Sequence, residues 1–131
     1  MKLLIDSNRF TDFARGLADV VARFESADEL WVSLIVLGEL RGGFAFGTKR
    51  DINEKILEMF LGRPMVRVLA LDEETVDHYA AVYSGLRRGG TPIPTNDIWI
   101  AAQAIQHDLI LDTRDQHFHY ISGLKLVGRA C

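Results

Sequence analysis

Asp6, Glu39, Asp97 and Asp115 are carboxylates that the pattern of the chain gathers at one place. Asp6 follows the apolar run Leu3-Leu4-Ile5, and Asp115 follows Leu109-Ile110-Leu111. Glu39 lies in the helix after a third run, Leu30-Trp31-Val32, and Asp97 opens a strongly apolar helix. In an open parallel sheet, groups leaving the carboxyl ends of the strands share the edge where ligands bind. Carboxylates held that close repel one another unless a cation lies among them. A donor set of oxygens without His or Cys favours a hard ion, Mg²⁺ or Mn²⁺, over zinc. Such an ion would acidify a water for in-line attack on phosphorus and stabilise charge on the phosphoryl and leaving oxygens. The four acids therefore point to phosphodiester hydrolysis.

Within that set, Asp6 and Asp97 read as direct or near-direct ligands. Asp97 also gains from the unpaired backbone donors of a first helical turn. Glu39 is a ligand or the group that orients the attacking water, and Asp115 completes the site or serves a second metal. Ser7 and Thr113 could hydrogen-bond the acids, with Asn8 beside them as a supporting residue. Each acid has a plainer alternative. Asp is common at caps and turns, and Glu39 could be half of a buried ion pair with Arg41 or Arg15. Asp112 ends a strand and reads as structural rather than as a ligand. His117 and His119 read as surface or supporting groups, not as a metal pair.

The elements that must position these groups alternate between strand and helix, which argues for a mostly parallel sheet with helices on both faces. Five strands are expected, at Lys2–Ile5, Leu30–Val32, Val66–Leu69, Leu109–Leu111 and Leu124–Val127. Ser7 or Asn8 should cap the first helix and Ser33 the helix that carries Glu39. Gly42-Gly43 should weaken or end that helix. Thr48 and Asp51 resemble a capping box. Leu17, Val20, Val21 and Phe24 repeat at helical spacing, Ile52, Ile56, Met59 and Phe60 follow the Thr48–Asp51 pair, and Val76, Tyr79, Tyr83 and Leu86 mark a buried helical stripe. Asp72, Glu73 and Glu74 suit a helix start. The helix from about Asn96 to His107 is apolar nearly all round and should be buried. Phe44 and Phe46 should pack in the core or at a partner interface.

The chain has 131 residues, which predicts one domain over 1–131. Its longest apolar stretch, Trp31 to Leu37, is too short to span a bilayer. Asp6 interrupts the amino-terminal apolar run before a signal peptide could develop. The lone cysteine, Cys131, leaves no internal disulfide, which fits a reducing cytoplasm. Net charge is −3, unusual for a nucleic-acid binder. Without the four site acids, 15 basic residues face 14 acidic ones, a balance of +1. The negative balance is thus mostly the site itself.

Taken together, Leu4-Ile5-Asp6-Ser7-Asn8, Gly38-Glu39-Leu40, Pro94-Thr95-Asn96-Asp97-Ile98-Trp99-Ile100-Ala101-Ala102 and Thr113-Arg114-Asp115-Gln116-His117-Phe118 resemble the motifs of PIN-domain nucleases. In particular they are similar to VapC-type toxin ribonucleases of bacterial toxin–antitoxin pairs. The likeness runs from the first strand to the last. Ser7 stands where the family often has Thr, and Arg114 where it often has Asn.

The resemblance implies a three-layer α/β/α sandwich with a mostly parallel sheet of about five strands. It implies a Mg²⁺- or Mn²⁺-dependent endoribonuclease that leaves a 5′-phosphate and a 3′-hydroxyl. It also implies a VapB-type antitoxin that wraps the toxin and carries any contact with operator DNA, and a homodimer. Arg87, Arg88 and Arg41 are candidate RNA contacts. Two other readings compete. One is a PIN-like RNA- or protein-binding module without catalysis. The other is a phospho-accepting receiver domain, disfavoured because Ser7 follows Asp6 where that fold needs an acid pair.

Overall fold

The computed structural model describes residues 1–128, and Cys131 lies outside them. Four strands form one parallel sheet: β1 (Lys2–Ile5), β2 (Glu29–Ser33), β3 (Val66–Leu69) and β4 (Ile110–Asp112), in the order β3-β2-β1-β4. Register pairs Leu3 with Leu30 on one side and with Ile110 on the other. Successive strand residues face opposite sides of a sheet. Leu3, Leu4 and Ile5 are all fully buried, so both faces of the sheet at β1 are covered. That is the burial expected of a parallel sheet flanked by helices.

The helices are α1 (Ser7–Ala14), α2 (Ala18–Ser26), α3 (Leu34–Phe46), α4 (Arg50–Leu61), α5 (Glu73–Arg88) and α6 (Thr95–Gln106). A short 3₁₀ helix, Gln116–Tyr120, follows β4. Phe13 stacks on Phe24 at 5.1 Å and Phe10 meets Phe60 edge-on at 5.3 Å, which joins α1, α2 and α4 around one aromatic cluster. Tyr79 of α5 stacks on Trp99 of α6 at 4.0 Å. Gln103 of α6 is fully buried. It accepts from Ser33 Oγ at 2.5 Å and donates to the carbonyls of Leu69 and Ala70, so it ties together the ends of β2 and β3.

Several local expectations change. The fifth strand shrinks to one bridge, Leu111 to Leu126, held by hydrogen bonds of Leu111 N to Lys125 O and Val127 N to Leu111 O. Gly123 and Gly128 flank it with φ of 80° and 76°, left-handed turns that leave only a few extended residues between them. Asp6, rather than Ser7 or Asn8, caps α1, with its side chain accepting from Ser7 N. Ser33 does cap α3, and Asp72 with Thr75 forms a reciprocal capping box on α5.

Helix α3 runs through Gly42-Gly43 to Phe46, and α4 is capped by Lys49 with no side-chain hydrogen bond, so Thr48 and Asp51 form no box. Exposed faces also differ from the α5 stripe and from the apolar spacings. Leu17, Ile52, Met59, Val76 and Tyr83 are exposed, while Leu57 and Thr75 are fully buried. Phe44 packs against the core, whereas Phe46 is 95% exposed.

Candidate metal centre

The carboxyl ends of β1 and β4, the middle of α3 and the first turn of α6 surround an open cleft of about 420 Å³. Asp6, Glu39, Asp97 and Asp115 all line it, together with Ser7, Asn96 and His117. Four stretches far apart in sequence thus bring their acids to one edge of the sheet.

Asp6 is 2% exposed and is held on both oxygens. Oδ1 accepts from Ser7 N at 2.8 Å; Oδ2 accepts from Thr113 Oγ at 2.6 Å and from Asn8 Nδ2 at 3.4 Å. Burial pushes its carboxyl above the usual range. The Thr113 and Ser7 hydrogen bonds pull it down, Asp115 pushes it up and His117 pulls it down. Glu39 is half-buried, and its Oε1 is covered without a hydrogen-bond partner. Burial and then the nearby charge of Asp6 raise its carboxyl; Asn96 and Ser7 act the other way and Asp97 adds to the rise. Asp97 is raised by burial and by Asp6, with His117 opposing and Asp115 adding. Desolvation and like charge both disfavour the ionised form, so the cleft stores unfavourable energy in its carboxylates.

One loop sets much of this arrangement. Thr113 Oγ also accepts from Asp115 N at 3.1 Å, and Asn8 Oδ1 accepts from Arg114 N at 3.1 Å. Both therefore hold the segment after β4 against α1. Arg114 reaches Asp12 at 2.9 Å. Asp112 lies beneath, fully buried and ion-paired with Arg9 and Arg23, which agrees with a structural role.

His117 sits inside the cleft, although the sequence pattern points to the surface or a supporting position. Its Nε2 is 2.6 Å from Asp97 Oδ2 and 4.0 Å from Asp115 Oδ2. One donor atom each from Asp97, Asp115 and His117 lies within 4.8 Å of the other two. The only signal in the sequence is spacing, two residues past Asp115 in a tight 3₁₀ turn. Three expected RNA contacts do not line the cleft. Arg41 pairs with Glu54 at 3.5 Å, Arg87 lies over the Tyr83 ring, and Arg88 is exposed at the end of α5.

The donors fit a divalent cation. Glu39 Oε1 has no partner, three carboxyls are held above their ordinary range, and oxygens predominate. A cation would relieve the repulsion that the fold imposes.

The PIN domain family profile matches residues 3–124. The chain belongs to the PIN-domain family. This PIN domain is 33% identical over 125 residues to toxin FitB of Neisseria gonorrhoeae, covering 86% of this chain and 87% of that one. It is 32% identical over 110 residues to ribonuclease VapC1 of Haemophilus influenzae, covering 83% and 81%. Its fold matches a chain of VapBC2 from Rickettsia felis, solved bound to a DNA fragment from its promoter, with a TM-score of 0.87 and 25% identity. That match covers 96% of this PIN domain and 97% of the other chain.

Proposed function

We propose that this PIN domain is a metal-dependent endoribonuclease, the toxin of a toxin–antitoxin pair, with the whole chain acting as one domain. The observation that carries it is the convergence of four acids from distant segments on one cleft, with Glu39 Oε1 covered and unpartnered. RNA as substrate rests on relatives named ribonuclease, and the toxin role on FitB and the VapBC complexes. Asp6, Glu39, Asp97 and Asp115 would gather round Mg²⁺ or Mn²⁺, hard ions that suit carboxylates. When bound, the cation lowers the pKa of water and stabilises charge on the phosphoryl group.

The remaining work falls to the chain. Glu39 orients the attacking water and takes its proton, because a carboxyl raised by burial is a better base than an ordinary one. The water oxygen bonds to phosphorus as the bond to the 3′ oxygen breaks and that oxygen takes a proton from solvent, leaving a 5′-phosphate and a 3′-hydroxyl. Thr113 and the Ser7 amide fix the Asp6 carboxylate, so the site needs little rearrangement before reaction. Asn8 and Thr113 hold the Asp115 loop.

A VapB-type antitoxin is the expected partner, with operator DNA bound through it, since structural relatives include toxin–antitoxin complexes, among them VapBC2 of Rickettsia felis on promoter DNA. A homodimer and a cytoplasmic location complete the proposal. Among the described residues no helix is long and apolar enough to cross a membrane.

The test is cleavage of a labelled RNA by the purified chain, freed of antitoxin, with Mn²⁺ or Mg²⁺ and then with EDTA. Cutting should need the ion and vanish in Asp6→Ala and Asp97→Ala. Cutting that survives EDTA, or a folded Asp97→Ala that cuts at the wild-type rate, overturns the proposal.

A further inference from the structure

Among the described residues lining the cleft, His117 is the only histidine, and it is not placed there loosely. Phe118 is fully buried and anchors the 3₁₀ turn that begins right after Asp115. The His117 ring lies 5.1 Å from the Phe118 ring. Its side chain is 31% exposed, with Nε2 directed at Asp97 Oδ2. With Asp115 included, two carboxylate oxygens and one imidazole nitrogen form a compact group within 4.8 Å. Mg²⁺ takes oxygen ligands almost exclusively, whereas imidazole nitrogen suits transition ions.

We propose that His117 Nε2 is a direct ligand of the cation beside Asp97 and Asp115, and that it makes the site prefer Mn²⁺ to Mg²⁺. The inference rests on the proposed function, in which the cleft holds a divalent cation. It assigns to one residue a metal preference that the four acids alone would not give. On loading, the proton of the hydrogen bond between His117 Nε2 and Asp97 Oδ2 would pass to solvent, which frees both atoms as donors to the ion.

The decisive measurement is pulsed electron paramagnetic resonance of Mn²⁺ added to the purified full chain. A directly bound imidazole couples ¹⁴N to the Mn²⁺ spin, and growth on ¹⁵N-histidine replaces that pattern with the ¹⁵N one. In His117→Gln the coupling should disappear while Mn²⁺ still binds. Losing even a supporting partner of a metal site weakens affinity by about 10–100-fold. His117→Gln should therefore weaken Mn²⁺ by at least about tenfold, and Mg²⁺, measured by competition, far less.

Mn²⁺ bound without nitrogen coupling overturns this inference alone and leaves the metal-dependent nuclease reading in place. So does coupling that survives His117→Gln. If wild type binds no Mn²⁺ at all, both fall. Should His117→Gln fail to fold by circular dichroism, the isotope comparison on wild type and the His117→Asn variant decide between the same outcomes.

Discussion

Arg23 grips Asp112 with two nitrogens, Nε at 2.6 Å from Oδ2 and Nη2 at 3.1 Å from Oδ1, across 89 residues of sequence. Arg9 adds a third contact at 3.2 Å, and the Asp112 side chain is wholly shielded from solvent. The Asp112 carbonyl accepts from Asp6 N, so this ion pair sits directly behind the cleft. Removing one partner of a buried pair leaves the other charge uncompensated, at a cost of about 3–5 kcal/mol. Asp112→Ala should lose that much in urea denaturation, with Arg23 stripped of its carboxylate and Arg9 keeping only Asp12 at 3.0 Å. A loss near zero would mean that water already solvates this network.

Thr113→Val tests the loop without removing an acid. The variant keeps the side-chain shape but deletes the donor to Asp6 Oδ2 and the acceptor for Asp115 N. Leaving such groups unsatisfied costs about 1–3 kcal/mol. The Thr113 bond also holds the Asp6 carboxyl down, so its loss drives Asp6 further up. The cation then meets more proton competition, and the Mn²⁺ affinity of the variant should fall most steeply toward acid pH. Calorimetric titrations with parallel pH dependence in wild type and variant would show that Thr113 does not act on Asp6.

The acids are legible in the sequence because each follows or opens an apolar element whose type the pattern fixes. Strand ends in a parallel sheet share an edge, so Asp6 and Asp115 can be placed without coordinates. Other features depend on pairing between distant segments. The Arg23–Asp112 pair has no local signature, nor does the hydrogen bond from Ser33 to the buried Gln103. Helix α3 passes through Gly42-Gly43 because Leu40 is buried and Phe44 packs on the core, and that tertiary burial outweighs weak local propensity. His117 escapes the sequence pattern for the same kind of reason. Only the buried Phe118 reveals which way the 3₁₀ turn faces.

Acidity should stabilise the metal-free site. The folded Asp97 carboxyl is raised, so between its unfolded and folded values the folded chain binds more protons than the unfolded one. Its contribution to stability therefore falls as pH rises through that window and stays low above it. In EDTA, wild type should lose stability relative to Asp97→Asn as pH rises from the ordinary Asp value, then run parallel to it. Asp28, Asp72 and Asp108 are shifted down and slope the other way, but they are present in both proteins and cancel. Equal denaturation midpoints across the whole pH series would contradict the crowding of these carboxylates.

Glu39→Gln should reverse its effect with metal. Glu39 is raised by burial and by Asp6, and its Oε1 has no partner, so its charge is unfavourable in the metal-free cleft. Gln removes that charge at nearly constant volume, and in chelator the melting temperature should rise by a few degrees. With Mn²⁺ the order should invert. Wild type gains stability as RT ln(1 + [L]/Kd), and weaker binding leaves the variant a smaller gain. RNA cleavage should drop by about 10²–10⁴-fold, the usual contribution of a positioned base. Those three readouts separate the possible roles of Glu39. A variant that melts lower in chelator marks Glu39 as part of a stabilising ion pair. One that melts higher, binds Mn²⁺ as wild type does and still cuts RNA normally removes Glu39 from both the metal and the water.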